Sequence, residues 1–269
     1  MLSKFRKNYL SGLAEVVAEE YCPNNLVAPR LIADEQSITY SFGNYKDAFD
    51  GLIEHDSGSF HIYINLDKAK NEYSPRARFT FAHELGHYYI DEHRNALKSG
   101  RTPSHPSHNF KSKNPVELEA DYFAASLLMP KSRVKTDCFK RKFGMDVIEE
   151  IRMKYQVSTT ASLLRFADIG NHPIIVVCSR IGKVEWAVCS DDFPFKVVKG
   201  IKSDRKVPRY SIANEYWQSK REYNEVSEVT AGDWFENVWD EDYDRKFYEK
   251  CVYSEKFGYG FILSVLWED

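Results

Sequence analysis

Two histidines and a glutamate stand in the chain with the spacing HExxH. His83 and His87 are four residues apart, so on a helix their imidazoles lie on one face, one turn apart. Glu84 lies about 100° round the helix, at the edge of that face. In this arrangement two imidazoles bind one zinc ion, and the glutamate reaches a water molecule at the metal. The spacing therefore predicts a zinc site with hydrolytic chemistry.

The segment around this motif has the signals of a capped helix. Ser74 is a favourable N-cap, and Pro75 suits the first helical position, where a missing N–H costs nothing. Good helix formers and aromatic residues follow as far as Ile90, and Phe79, Phe81 and Leu85 give the helix an apolar flank. The sequence therefore predicts one helix that positions both histidines.

A second helix is predicted for Asn114–Pro130, where Asn114 caps, a proline follows at once and Pro130 ends the element. Glu117 is the predicted third zinc ligand. Asp121, one turn later on the same face, is placed to accept the N–H of a ligand histidine and so fix its tautomer. Small Ala120 and Ala124 would let this helix lie close to the HExxH helix. Without the upstream motif, an ordinary amphipathic helix with a solvated acidic start would be favoured.

Two rivals for the third ligand remain. Glu119 lies two residues from Glu117 and points to another helix face. His93 lies six residues after His87, which is the offset at which metzincins place a third histidine. Those enzymes have glycine midway, whereas this chain has β-branched Ile90, which is poorly suited to a positive φ. We therefore expect His93 in a loop or beside the substrate.

The segments before the motif read as a helix followed by short strands. Leu10–Tyr21 has helical spacing, Ser37–Tyr45 alternates like a half-buried strand, and Leu52–His55 with Phe60–Leu66 predicts a hairpin. An edge strand beside a zinc cleft can bind an extended peptide by β-augmentation. The region His93–Asn114, rich in Pro, Gly, Ser, Asn and Lys, is predicted as a long loop.

Composition describes a globular protein of 269 residues, in which two domains are more probable than one. The net charge of −3 gives no global basic field toward DNA or anionic lipid. No apolar run approaches about 18 residues, so no membrane span is expected. Five cysteines without a CxxC pair read as reduced thiols, and the N-terminus lacks a secretory h-region. We therefore expect a cytoplasmic location.

Turn residues at 170–173 mark the predicted domain boundary, giving domains 1–169 and 170–269. The first includes a helical segment, 131–169, whose helix–turn–helix spacing raises DNA binding as a third function class. Mixed charges and the acidic balance argue against it. The second is predicted as a smaller α+β domain with strands at Ile174–Cys178 and Val184–Cys189 and a closing hairpin, Glu249–Lys256 with Phe261–Trp267. No chemical motif stands in it.

Three segments together resemble the ImmA/IrrE-type family of zinc metallopeptidases: FAHELGHYYI at Phe81–Ile90, ELEADYFAASLLMP at Glu117–Pro130, and YQVSTTASLLRF at Tyr155–Phe166. The likeness covers roughly Ser37–Ile169. The Glu-xxx-Asp spacing also looks like that of gluzincins such as thermolysin. The resemblance implies an α+β fold: a zincin-like domain with a small mixed sheet and the HExxH helix, followed by the C-terminal domain, whose role could be sensory.

The resemblance further implies one Zn²⁺ per chain, with His83, His87 and Glu117 as ligands and Glu84 as catalytic base. Members of the family cut or disable helix–turn–helix repressors, often of mobile elements or in stress responses. Many carry a DNA-binding domain at the N-terminus. This chain has none, so we expect its target to be a separate repressor polypeptide, with no direct nucleic-acid binding.

The first function hypothesis is therefore a zinc endopeptidase in which water, activated by the metal and by Glu84, attacks the peptide carbonyl. The alternative is a zinc-bound regulatory protein that inactivates a repressor by binding, with little or no proteolysis. The oxyanion donor stays open among Tyr88, Tyr89, His93, His105 and His108. The sequence names neither the substrate, its cleavage site, an activating signal nor the oligomeric state.

Overall fold

The computed structural model describes residues 2–24, 26–100, 114–254 and 260–268. The chain divides into two compact units, one of residues 1–137 and 149–162 and the other of residues 138–148 and 163–269. Helices and strands are mixed along the chain, so the predicted α+β class is confirmed. The boundary predicted between residues 169 and 170 stays a prediction. Within the described residues, no helix is both long and apolar enough to cross a lipid bilayer.

The first unit places a three-stranded sheet between its helices along the chain. Its elements are α1 (Lys4–Tyr21), α2 (Pro29–Glu35), β1 (Thr39–Gly43), β2 (Gly51–Asp56), β3 (Ser59–Asn65), α3 (Leu66–Ala69), α4 (Pro75–Tyr89), α5 (Asp91–Lys98), α6 (Pro115–Leu128) and α7 (Lys131–Cys138). Two helices then follow along the chain, α8 (Met145–Tyr155) and α9 (Thr159–Ile169).

The sheet of the first unit is mixed, with β3 in the centre. β1 pairs with β3 in parallel and β2 pairs with β3 antiparallel, which leaves β2 at an edge. The predicted hairpin is thereby confirmed. Ile53, Ile62 and Ile64 are buried on one face, and each such side chain contributes about 1.5–3 kcal/mol when fully buried. On the same face Phe81 of α4 packs edge-on against Tyr40 of β1, so α4 lies on the sheet.

The caps of α4 and α6 are those that the sequence predicts. Ser74 accepts a hydrogen bond from the N–H of Ala77 at 3.1 Å, and Pro75 follows it. Asn114 accepts one from the N–H of Val116 at 3.1 Å. These caps satisfy N–H groups that a helix leaves without partners at its start. Both helices therefore begin at positions fixed by local sequence.

One segment of the first unit differs from the prediction. His93–Asn114 is predicted as a loop, yet α5 covers Asp91–Lys98. His93 and Leu97, four residues apart, are its buried side chains, and two acidic residues occupy its first turn, where the helix dipole stabilises negative charge. A helix of eight residues inside a polar stretch is too short for its periodicity to be recognised.

The second unit is built on a five-stranded antiparallel sheet of order β5-β4-β8-β7-β6. Its elements are β4 (Ile174–Arg180), β5 (Lys183–Cys189), α10 (Ile212–Ser219), β6 (Ser227–Thr230), α11 (Ala231–Trp234), a 3₁₀ turn (Asp240–Asp242), β7 (Lys246–Ser254) and β8 (Phe261–Trp267). The predicted strands and closing hairpin are confirmed. An isolated bridge between Val198 and Phe235 lies outside these strands.

A buried carboxyl lies in the core of this sheet. Glu249 on β7 is fully buried, and its Oε2 accepts the backbone N–H of Ile212 at 3.1 Å and the indole N–H of Trp234 at 3.2 Å. Burial raises the pKa of Glu249, and the hydrogen bonds only partly offset this. The side chain therefore joins α10 and α11 to the sheet. It keeps its proton to a higher pH than an ordinary glutamate does.

This carboxyl predicts a pH dependence of stability. Its stabilising contribution is full below the ordinary pKa of 4.5 and is lost as the pH rises through the higher folded-state pKa. We expect Glu249→Gln, neutral at every pH, to gain on the wild type in free energy of unfolding between about pH 5 and about pH 8. Urea unfolding at both pH values measures the difference. Exposed Glu225→Gln, the control, should show no such gain, and an unchanged difference for Glu249→Gln would contradict the prediction.

Candidate metal centre

Three ligand-type side chains from two helices meet in the first unit. His83 and His87 lie on α4 and Glu117 lies on α6, and all three are buried. His83 Nε2 is 3.1 Å from His87 Nε2 and 3.2 Å from Glu117 Oε2, and His87 Nε2 is 3.8 Å from Glu117 Oε1. One donor atom from each residue lies within 4.8 Å of the others. The three residues that the sequence proposes as ligands are thus side by side.

The close approach of α4 to α6 makes this meeting possible. Gly86 lies between the two histidines, and a Cβ added there would be 3.2 Å from both Ala120 Cα and Phe123 Cδ1. Ala120 and Ala124 on α6 are fully buried. The predicted close packing of the helices through small residues is therefore confirmed, and a larger side chain at position 86 would force them apart.

Asp121 orients one of the histidines. Its Oδ1 is 2.9 Å from His83 Nδ1. An ionised carboxylate only accepts hydrogen bonds, so His83 Nδ1 carries a proton, and Nε2, which faces Glu117 and His87, is the nitrogen that could bind a metal. Such a carboxylate behind a histidine is the usual arrangement at metal-binding imidazoles.

The electrostatics of the group favour a cation. Burial is the largest single effect on His83 and lowers its pKa. The hydrogen bonds to Asp121 and Glu117, together with the charges of Glu84 and Asp121, outweigh burial and raise that pKa to about 10. Carboxylates therefore surround the two buried imidazoles and favour positive charge between them. The residues present fit a zinc ion, since two nitrogen donors and one carboxylate oxygen form a ligand set that zinc takes.

Glu84 lies between α4 and the edge strand. Its side chain is 4% exposed, and burial raises its pKa to about 7, although the charge of His83 and the N–H of Ile53 lower it. Gly51 of β2 lies against this carboxylate, because a Cβ added to Gly51 would be 2.6 Å from Glu84 Oε1. A carboxyl with a pKa near 7 can take up and release a proton at neutral pH.

The other residues weighed from the sequence are not among the three grouped donors. His93, on α5, is not one of the grouped donors, and its Nε2 is 3.2 Å from Glu119 Oε2. Tyr88 donates its hydroxyl to Gln36, and Tyr89 stacks on Phe123. Two further oxyanion candidates, His105 and His108, lie outside the described residues.

Sequence reasoning missed two supports of Glu84, namely the small residue Gly51 and the N–H of Ile53. Only one signal was available: a glycine at the start of a strand often marks a close approach of another group. The backbone N–H of Ile53 carries no mark in the sequence, because any residue supplies one.

Residues 41–166 match the family model Peptidase_M78, described as the IrrE N-terminal-like domain. The resemblance of this part of the chain to the ImmA/IrrE family is thereby confirmed. The match includes all four residues of the candidate site. It supports a protease-type enzyme, or an IrrE-like regulator of transcription, with a zincin-like fold in this part of the chain.

The fold is also similar to that of a solved structure named Mycobacterium tuberculosis transcriptional regulator. The TM-score is 0.61 at 12% sequence identity, over 98% of this chain and 78% of that chain. At this identity the likeness shows a shared fold alone. No curated protein matches the chain.

The packing of β2 on Glu84 predicts that Gly51→Ala is destabilising. The added methyl would overlap Glu84 and Thr80, and overpacking of this kind costs about 1–3 kcal/mol. Urea unfolding of the purified protein measures this cost. Gly12→Ala on α1 is the control: open space surrounds its Cβ, so the helix should gain up to about 1 kcal/mol. Equal stability of Gly51→Ala and wild type would show that Glu84 does not lie against the strand.

Proposed function

We propose that the chain is a zinc-dependent endopeptidase that cleaves a separate helix–turn–helix transcriptional repressor. The observation that carries this proposal is the convergence of His83, His87 and Glu117 with Glu84 beside them. The Peptidase_M78 match supports the protease-type chemistry. The regulatory target is supported by the family resemblance and by the name of the structural neighbour, a transcriptional regulator.

In this proposal His83, His87 and Glu117 hold one zinc ion, and Asp121 keeps His83 in the tautomer that binds metal. Three protein ligands of this kind are typical of catalytic zinc and leave one position open. Zinc so held lowers the pKa of water and polarises a carbonyl oxygen.

Glu84 is the general base. Its carboxylate takes a proton from the attacking water, and the resulting carboxylic acid gives that proton to the leaving amine nitrogen. Gly51 and the N–H of Ile53 hold the carboxylate beside β2, and an extended peptide added to this edge strand would pass the base.

A second candidate is inactivation of the repressor by binding alone. The low exposure of the site favours it: His83 is 2% exposed and Glu84 is 4% exposed, which restricts access for a protein substrate. In this case the metal centre would stabilise the fold and the chain would act as a partner of the repressor.

Metal content tests the ligands. We expect one zinc per chain in the wild type and its loss in His83→Ala and Glu117→Ala, because each removes one of three donors. Plasma mass spectrometry of the purified proteins measures this, with His172→Ala and Glu225→Ala as controls for the same changes in the second unit. Zinc that survives in Glu117→Ala but not in His93→Ala would assign the third ligand to His93. A wild type that takes up no zinc would end the peptidase proposal.

Replacement of the base tests proteolysis. Glu84→Gln keeps the size of the side chain but cannot accept the proton, so cleavage should fall by about 10²–10⁴-fold while zinc stays bound. Mass spectrometry of new protein N-termini, in cells that express wild type or variant, measures cleavage. Exposed Glu225→Gln, outside β2, is the matched control and should cleave normally. If the Glu84→Gln protein still relieves repression, the chain acts by binding.

A further inference from the structure

A cluster of charged side chains lies beside the candidate metal centre and joins three helices. It consists of Arg6 on α1, Glu92 and His93 on α5, and Glu119 on α6, hereafter the Arg6 cluster. Arg6 Nε is 2.9 Å from Glu119 Oε1 and Arg6 Nη2 is 2.5 Å from Glu119 Oε2. Arg6 Nη1 reaches Glu92 Oε1 at 3.2 Å. Glu119 Oε2 also lies 3.2 Å from His93 Nε2.

The central ion pair of the Arg6 cluster is more than a solvated surface contact. The side chains of Arg6 and Glu119 are 23% and 16% exposed, whereas Glu92 at the rim is 64% exposed. Arg6 binds Glu119 with two parallel N–H···O bonds, a geometry that is strong and directional. The pair therefore fixes the Glu119 carboxylate in position, and its Oε2, which accepts from Arg6 Nη2, also faces His93 Nε2.

His93 connects the Glu119 carboxylate to His87, one of the proposed zinc ligands. The ring of His93 is buried, and its centroid lies 5.2 Å from that of His87, with the planes at 42°. Because a carboxylate only accepts hydrogen bonds, His93 donates its Nε2 proton to Glu119. Its buried Nδ1 has no hydrogen-bond partner among the described residues. The hydrogen bond to Glu119 therefore sets the plane of the ring against which His87 packs.

Alternate residues of α6 thus serve different histidines. Glu117 and Asp121 lie one turn apart and face His83. Glu119, about 200° round the helix from Glu117, faces His93. We propose that Arg6 and Glu119, acting through His93, fix the ring of His87 and thereby set the metal affinity of the centre. All three are positioning residues, and the inference rests on the proposed zinc site. Arg6 lies outside residues 41–166, so the family match does not cover it.

Zinc and cobalt binding test the inference without an activity assay. We expect Arg6→Ala and Glu119→Gln each to weaken zinc binding about 10-fold, the size of effect that outer hydrogen-bond partners have at metal sites. Competition with a chromogenic chelator measures the zinc dissociation constant. The visible absorption bands of bound Co²⁺ should change in both variants, because they report the ligand geometry. Arg6→Lys keeps the charge but loses the fork, and should fall between wild type and Arg6→Ala.

Two comparisons separate positioning from a loss of fold. The double variant Arg6→Ala/Glu119→Gln should bind zinc as tightly as the single variant with the lower zinc affinity. Both residues act through His93, so their effects should not add. Arg133→Ala is the matched control: Arg133 also attaches α1, through the carbonyls of Ala18 and Cys22, but lies outside the Arg6 cluster. It should bind zinc as the wild type does. Circular dichroism without metal verifies that each variant is folded.

Unchanged zinc affinity and cobalt spectra in Arg6→Ala and Glu119→Gln would overturn the inference and leave the zinc site intact. Equal weakening by Arg133→Ala would also overturn it, because the attachment of α1 in general would then be the cause. A wild type that binds no zinc would overturn both this inference and the proposed function. A wild type that binds zinc but cleaves nothing would remove the proteolytic function alone.

Discussion

The contact between Gly86 of α4 and Ala120 of α6 determines whether the candidate centre exists. His83 and His87 come from one helix, so helical geometry alone places them together. Glu117 comes from another, and its carboxylate reaches the imidazoles only because the helix backbones almost touch at Gly86. Protein interiors are close-packed, so a side chain at this point could not be absorbed by empty space. The glycine inside HELGH is thus a packing requirement of the second helix, beyond the metal motif itself.

The same packing confines negative charge. Glu84, Glu117 and Asp121 lie around two imidazoles in a region nearly closed to water, and burial penalises every ionised form there. The raised pKa of Glu84 and of His83 are two consequences of one situation. The carboxyl keeps its proton to higher pH because it is buried near Glu117, and the imidazole keeps its proton because carboxylates accept hydrogen bonds from it. A divalent cation among the donors would relieve both, which is the physical reason to propose one.

Local sequence predicted the parts of the site that depend on helix periodicity and capping. HExxH places its three residues on one turn, and the Asn114-Pro115 start fixes which residues of α6 follow, so Glu117 and Asp121 could be chosen in advance. The hairpin was equally readable from its turn and alternation. The helix α5, the short helices of the second unit and the role of Gly51 were not, because tertiary contacts decide them. Arg6 was unreadable for the same reason: its partner is 113 residues away along the chain.

Helix periodicity excludes Glu119 from the proposed ligand set, but it gives no sign that Glu119 contacts α1 and α5. Two residues from Glu117, it points away from the imidazoles, and periodicity excludes it as a neighbour of Glu117 in the ligand set. That same rotation presents its carboxylate to α1 and α5, where it would be a costly, partly buried charge without a partner. Arg6 supplies the charge and His93 the additional hydrogen bond. A carboxylate kept at this depth, and compensated by a residue of another helix, is best explained by what it holds in place: the ring of His93 and, against it, His87.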